Sequence, residues 1–191
     1  MQGSRIGDDD GVENLRGQLL IASPSLWDPN FRRAVVLVGH HDDEGALGVV
    51  LNRATEVSVR EAAPPFAALV GDDGVVFVGG PVQPQAAVVI ADFNDPSQAD
   101  LSAFGSIGFL PGEADPETVA GVRRARLFAG YAGWGPGQLE AEVEEGSWFL
   151  EPARPDDVFT VEPGALWSNV LRRKGPAYEL VSLMPADPSL N

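Results

Sequence analysis

The runs GQLLIAS (17–23), RAVVLVG (33–39) and GALGVVLN (45–52) are short, apolar and rich in β-branched residues, with turn-forming stretches between them. They read as buried or half-buried strands. The connections are too short for the crossover helices that parallel neighbours require. PSLWDPNF is too proline-rich for either regular element and reads as an ordered loop anchored by Leu26, Trp27 and Phe31. HHDDEG has the length of a hairpin loop. VVFVGGPV (75–82) is a strand ending in a Gly-Gly-Pro corner, and AAVVIA (86–91), SIGFL (106–110) and RLFAGYAG (126–133) add further strands. AYELVSL reads as the closing strand. The fold class expected is α+β, with a mixed, largely antiparallel sheet.

Helix signals are fewer. In SVREA, Ser58 can accept from the Glu61 amide while Glu61 returns to Ser58, a capping box that opens a short helix interrupted at Pro64 and Pro65. DPETVAGV reads as a helix start, with Asp115 as N-cap and Pro116 at the first helical position. EPGALWSNVLRRKG reads as a helix with Pro163 at its start, a basic last turn that suits the dipole, and Gly175 at its stop.

The 191 residues, 44% of them hydrophobic, suffice for one core, so residues 15–191 are expected to form a single compact domain. Residues 1–14 are polar, acidic and expected to be disordered. The net charge of −15 repels a phosphate backbone, which disfavours direct nucleic-acid binding unless arginines gather on one face. Arg32–Arg33, Arg123–Arg124–Arg126 and Arg172–Arg173–Lys174 are the groups that could do so. With no cysteine there is no disulfide, thiol nucleophile or thiolate metal site. No apolar run reaches the ~18 residues of a membrane span, and no signal peptide is read at the start, so a soluble cytoplasmic protein is expected.

Catalytic patterns are missing. His40 and His41 are the two histidines, and in an extended segment they point to opposite faces, so a shared metal ion is disfavoured despite Asp42, Asp43 and Glu44 beside them. They read as a solvated hairpin tip. Neither G-x-S-x-G nor a phosphate loop occurs. GYAGWGPGQLEAE (130–142) has the layout of an anion site, a glycine-rich turn before a helix N-terminus. Pro136, however, has no amide to donate, and Glu140 and Glu142 already place negative charge at the first turn. The helix from Gln138 to Glu145 carries a narrow apolar stripe of Leu139 and Val143, which leaves two readings. Its acids lie in water, or Gln138 and Glu142 point into a pocket beside Tyr131 and Trp134. Four glycines within eight residues are costly in chain entropy unless positive φ or close approach demands them.

GYAGWGPGQLEAE, GQLLIASPSLWDPNFRRAVVLV, EGALGVVLNR and VGGPV occur in this order, and together they resemble the bacterial YqgE/AlgH family. The resemblance runs from about Gly17 to the segment near Val181, with one departure at Ala34, where the family often has serine. It implies a bifurcated sheet folded into a pseudo-barrel with helices packed outside. The family has no established biochemical activity, and one branch, named for a link to alginate regulation, carries the label of transcriptional regulator. No helix-turn-helix pattern supports that label here. The favoured expectation is a module binding a protein partner or small ligand, with an indirect regulatory role and no cofactor or metal. Its candidate groove comprises Asn52, Gly79, Gly80, Pro81, Tyr131, Trp134, Gln138 and Glu142. The alternatives are a hydrolase-like enzyme, with Glu142 or Asp28 as base and Arg32 or Arg53 as charge stabiliser, and a DNA-binding regulator working through an arginine face.

Overall fold

A computed structural model of the protein describes residues 13–186. Most of the expected tail lies outside the described residues; the described chain reaches its first buried side chain at Leu15. The strands and helices are β1 (Gln18–Ala22), β2 (Val35–Asp42), β3 (Gly45–Val50), β4 (Ala54–Ser58), α1 (Val59–Ala62), α2 (Ala67–Val70), β5 (Val75–Val78), β6 (Val82–Phe93), β7 (Leu101–Phe104), β8 (Ile107–Phe109), β9 (Val122–Trp134), α3 (Gln138–Glu144), β10 (Trp148–Pro152), α4 (Pro155–Val158), α5 (Leu166–Lys174) and α6 (Pro176–Ser182).

The main path of the sheet is β10-β1-β2-β3-β9-β6-β8-β7, antiparallel throughout. Off it, β5 joins β9 in parallel and carries β4 on its far side. The sheet is therefore α+β, mixed and branched, and it is open, with β10 and β7 at the ends of the path. It still curls: a Cβ on Gly39 of β2 would fall 2.5 Å from the Phe109 ring of β8.

The fork sits on β9. As far as Ala129 the strand pairs with β5 and β6, Tyr131 meets Val82 at the start of β6, and from Ala132 the strand pairs with β3. Gly130, between the two, has φ +73, a conformation that side chains resist. It also flips the alternation. Ahead of it Phe128 faces the inner core while Ala125 and Leu127 face outward; beyond it Tyr131 turns inward and Ala132 and Trp134 outward. One residue thereby hands the strand from one branch to the other.

Both faces of β1 and β2 are covered. Leu19, Ile21, Val35 and Leu37 enter the inner core, and Leu20, Ala22, Val36 and Val38 the outer one, which accounts for their continuous apolar runs. Helices α1, α2 and α3 cover outer faces. An open sheet leaves the inner core uncovered on one side, and α5 fills that gap with Leu166, Trp167, Val170 and Leu171. The Trp167 indole donates to the Ala22 carbonyl at 2.9 Å. Arg173, in the last turn, makes a bidentate pair with Asp157 of α4 at 2.7 and 2.9 Å.

Four local expectations are corrected. AYELVSL is not a strand but most of α6: Pro176 opens it, and Tyr178 and Val181, three apart, are the side chains that pack. That spacing is helical, and Tyr178 meets Phe149 edge-on at 5.1 Å. DPETVAGV is a turn. Asp115 caps it through the Glu117 amide, but no apolar stripe follows to hold a helix against the sheet. Ser58 accepts from the Arg60 amide, not from Glu61, because α1 is a single turn. Trp27 does not anchor its loop: it is 56% exposed, and Leu26 and Phe31 do the packing.

One polar network inside the sheet makes stability depend on pH. Asp92 of β6 accepts from Arg123 Nε at 3.1 Å and from Ser106 Oγ at 2.7 Å. The Arg123 hydrogen bonds hold its carboxyl below the usual range, against the opposing effect of burial, with Ser106 and Arg124 adding to them. A depressed carboxyl stabilises the fold above its unfolded pKa of about 3.9, and that contribution disappears as pH falls through the folded value. Asp92→Asn should therefore cost about 2 kcal/mol at pH 7 in urea melts, with the gap to the parent protein narrowing progressively as pH falls below about 3.9.

Candidate functional site

The expected groove residues fall into three settings. Gly79, Gly80 and Tyr131 lie at the fork. Val50 donates its amide to the Gly79 carbonyl at 2.8 Å, and Gly79 donates to the Ala129 carbonyl at 2.9 Å. A Cβ on Gly79 would sit 2.2 Å from the Gly130 oxygen, and one on Gly80 would sit 2.2 Å from the Tyr131 carbonyl group. Val82, just past Pro81, pairs with Tyr131. The glycines are there so that two backbones can touch.

Trp134, Gln138 and Glu142 lie on the other face of β9 from Tyr131. Glu142 Oε2 accepts from both indoles, Trp134 Nε1 at 2.9 Å and Trp148 Nε1 at 2.8 Å. Its Oε1 accepts from Gln138 Nε2 at 3.0 Å, and Gln138 Oε1 accepts from the Gly135 amide at 3.0 Å. Glu142 is thus neither a solvated acid nor a group aimed into an open pocket. Its carboxylate is a clasp across two tryptophans. Phe31 packs on the same pair, tilted against Trp134 at a centroid distance of 6.1 Å and edge-on to Trp148 at 5.7 Å.

The histidine pair divides as its alternation requires, but not into a solvated tip. His41 is buried, its Nδ1 accepting from the Leu15 amide at 3.0 Å. That places its proton on Nε2, which donates to Glu140 Oε1 at 2.8 Å. Only Asp43 and Glu44 separate β2 from β3. Among the described residues no group of three or more His, Asp or Glu is placed to hold a metal ion.

Asn52 marks the third setting, the loop between β1 and β2. Its Oδ1 accepts from the Val35 amide at 2.9 Å, and its Nδ2 donates to the Arg33 carbonyl at 2.8 Å. Arg53 donates to the carbonyls of Pro29 and Arg32. Held from both sides, Arg33 adopts φ +54, a strained conformation for a residue with a side chain. Its guanidinium lies 4.4 Å above the Trp167 ring and donates to the Met184 carbonyl, while Arg32 lies 4.8 Å above Trp27. Ser23, Leu26, Trp27, Arg33, Trp167 and Met184 line a cleft of about 200 Å³. A shallower hollow of about 350 Å³ beside Arg53 is shared with Asn30, Gly80 and Pro81.

Three arginines, Arg32, Arg33 and Arg53, gather at this end of an acidic protein. Among the described residues no carboxylate lies within 4.0 Å of Arg32, Arg33 or Arg53. Burial, and then the charge of Arg32, hold the Arg33 guanidinium below its ordinary pKa; burial does the same to Arg53, offset in part by Asp28. The aromatic clasp supports this loop from behind through Phe31, so the two settings are one structure seen from two sides. The Arg-Arg pair was legible in the sequence. Trp167 and Met184 were not, since they reach the cleft from more than 130 residues away.

These features define an α+β protein with a branched open sheet, glycine-welded at its fork. An AlgH-like family model matches residues 19–179. A UPF0301 protein of Streptomyces avermitilis is 47% identical over 94% of this chain and 97% of its own length. One of Thermobifida fusca is 42% identical over 93% and 96%. A crystal structure of a Corynebacterium diphtheriae protein superposes with a TM-score of 0.81 at 32% identity, covering 92% of this chain and 95% of that one. The solution structure of the AlgH protein from Pseudomonas aeruginosa superposes with a TM-score of 0.70 at 27% identity, covering 97% and 98%. The chain belongs to the AlgH-like family. No helix among the described residues is long and apolar enough to cross a membrane.

Proposed function

We propose that this protein is a cytoplasmic binding module that regulates indirectly, by docking an acidic segment of a partner protein at the Trp27–Arg32–Arg33 end of its sheet. The observation that carries this reading is the group of three arginines with no carboxylate within 4.0 Å among the described residues of a chain of net charge −15. Trp27 and Met184 stand 56% and 48% exposed beside them, and Trp, Arg and Met are the residues that protein interfaces favour. Neither carboxylate proposed as a base favours an enzyme. Glu142 is engaged by two indoles and Gln138, and Asp28 Oδ1 accepts from the Asn30 amide. The negative field also disfavours DNA.

Acidic peptides arrayed beside copies with every Asp and Glu changed to the amide test the reading. Purified protein should be retained by the acidic set alone. Trp27→Ala should bind about 30-fold more weakly, the effect of a ~2 kcal/mol hot spot, with its melting temperature unchanged. Equal retention on amide peptides would overturn the reading, and salt-sensitive retention of duplex DNA by the same arginines would favour the regulator instead.

A further inference from the structure

Arg126 of β9 lines neither the Trp167 cleft nor the hollow beside Arg53. Its guanidinium sits 4.4 Å above the Phe77 ring, with Nη1 donating to the Val158 carbonyl at 2.9 Å and Nη2 to the Thr160 carbonyl at 3.0 Å. Those two bonds use two of the five N–H donors a guanidinium carries. Beside it opens a cavity of about 330 Å³, walled chiefly by Val70, Val75, Phe77, Thr160 and Val161. Asp73 also lines this cavity, yet among the described residues no carboxylate comes within 4.0 Å of Arg126.

A cation taken out of water without a counter-charge is unfavourable, and carbonyl dipoles compensate only part of it. Here burial pushes the guanidinium down to about 10, with Arg124 adding like-charge repulsion. Among the described residues none of the chain's acids forms an ion pair with this group, Asp73 included. Apolar walls around one unneutralised cation define the complementary ligand.

We propose that this cavity binds a small carboxylate with a short aliphatic tail, its head on the remaining Arg126 donors and its tail along Phe77, Val75 and Val161. Val161, 93% exposed at the mouth, is the side chain free to cover the tail. Thr160 and Val161 follow the carbonyl that Arg126 already holds, so head and cover are tied to one residue.

Two-dimensional amide NMR of the full chain tests the site with hexanoate as probe, and with hexanol and acetate as controls that lack the charge and the tail respectively. Hexanoate should give saturable shifts at Val75–Phe77 and Thr160–Val161, at least ten-fold tighter than either control. Arg126→Gln should weaken it ten-fold or more. Because that change also loosens the ties to Val158 and Thr160, Val161→Glu provides a second variant: it removes part of the tail's cover for both probes but sets a negative charge at the mouth, and so should weaken hexanoate by a clearly larger factor than hexanol. Equal affinity for hexanol and hexanoate would overturn the proposal, as would shifts that never saturate or a Val161→Glu protein that binds hexanoate like its parent.

Discussion

Replacing Gly79 with alanine is expected to lower stability by roughly 3 kcal/mol or more, a fall of about 6–12 °C in melting temperature for a chain of this size. The cause is contact and not conformation. The φ of Gly79 lies outside the left-handed region, so alanine could adopt its backbone shape, but the added methyl would meet the Gly130 oxygen at 2.2 Å. A backbone oxygen inside a sheet fork cannot step aside without breaking the Gly79–Ala129 and Val50–Gly79 hydrogen bonds. Gly71→Ala is the contrast: its φ of +101 strains a side chain, yet nothing lies within 4 Å. That change should cost about 1 kcal/mol. Thermal melts followed by circular dichroism separate the two; equal losses would mean that the fork does not depend on close approach.

The second large effect is expected at Glu142. Glu142→Ala removes one acceptor from two indole N–H groups and one amide, and should destabilise by about 3 kcal/mol. Glu142→Gln keeps one oxygen able to face both indoles but turns an amide nitrogen toward Gln138 Nε2, so it loses the charge and that one hydrogen bond, and a smaller cost of about 1–2 kcal/mol is expected. A carboxylate whose role was chemical would give the reverse order of importance: folding intact and function lost in both variants. Urea unfolding monitored by tryptophan fluorescence distinguishes these outcomes directly, since Trp134 and Trp148 report on their own clasp.

The strands that cover the core were legible in the sequence because both their faces are buried and their apolar runs are unbroken. β4, β7 and β10 were not. β4 is an edge strand paired only with β5; its sequence ATEVS is largely polar, with three of five residues exposed and none fully buried, so its pattern resembles a loop. β10 reads WFLEP and follows a helix without a turn signal strong enough to mark it. α6 failed for a different reason: a seven-residue apolar-polar mixture fits both periods, and only Tyr178 on Phe149 decides between them.

The glycine corners pointed to a meeting of distant segments, and the fork is one, with Gly80 against Tyr131 and Val82 paired to it. What the spacing could not reveal was the flip at Gly130. Tyr131 and Trp134 are three residues apart, which in an uninterrupted strand already places them on opposite faces. A single groove containing both rings is therefore incompatible with a strand that runs through to Trp134. The Arg32–Arg33 cleft was visible only as a charge pair, because its aromatic floor and its far wall come from α5 and Met184.

The pairing of β1 with β10, Gln18 beside Pro152, also sets the timetable of biosynthesis. At ~5–20 residues per second the ribosome releases the first three strands several seconds before their outer neighbours exist. During that interval a strongly apolar hairpin waits with both flanks bare, and the nascent molecule must be shielded from others like it until its last third arrives.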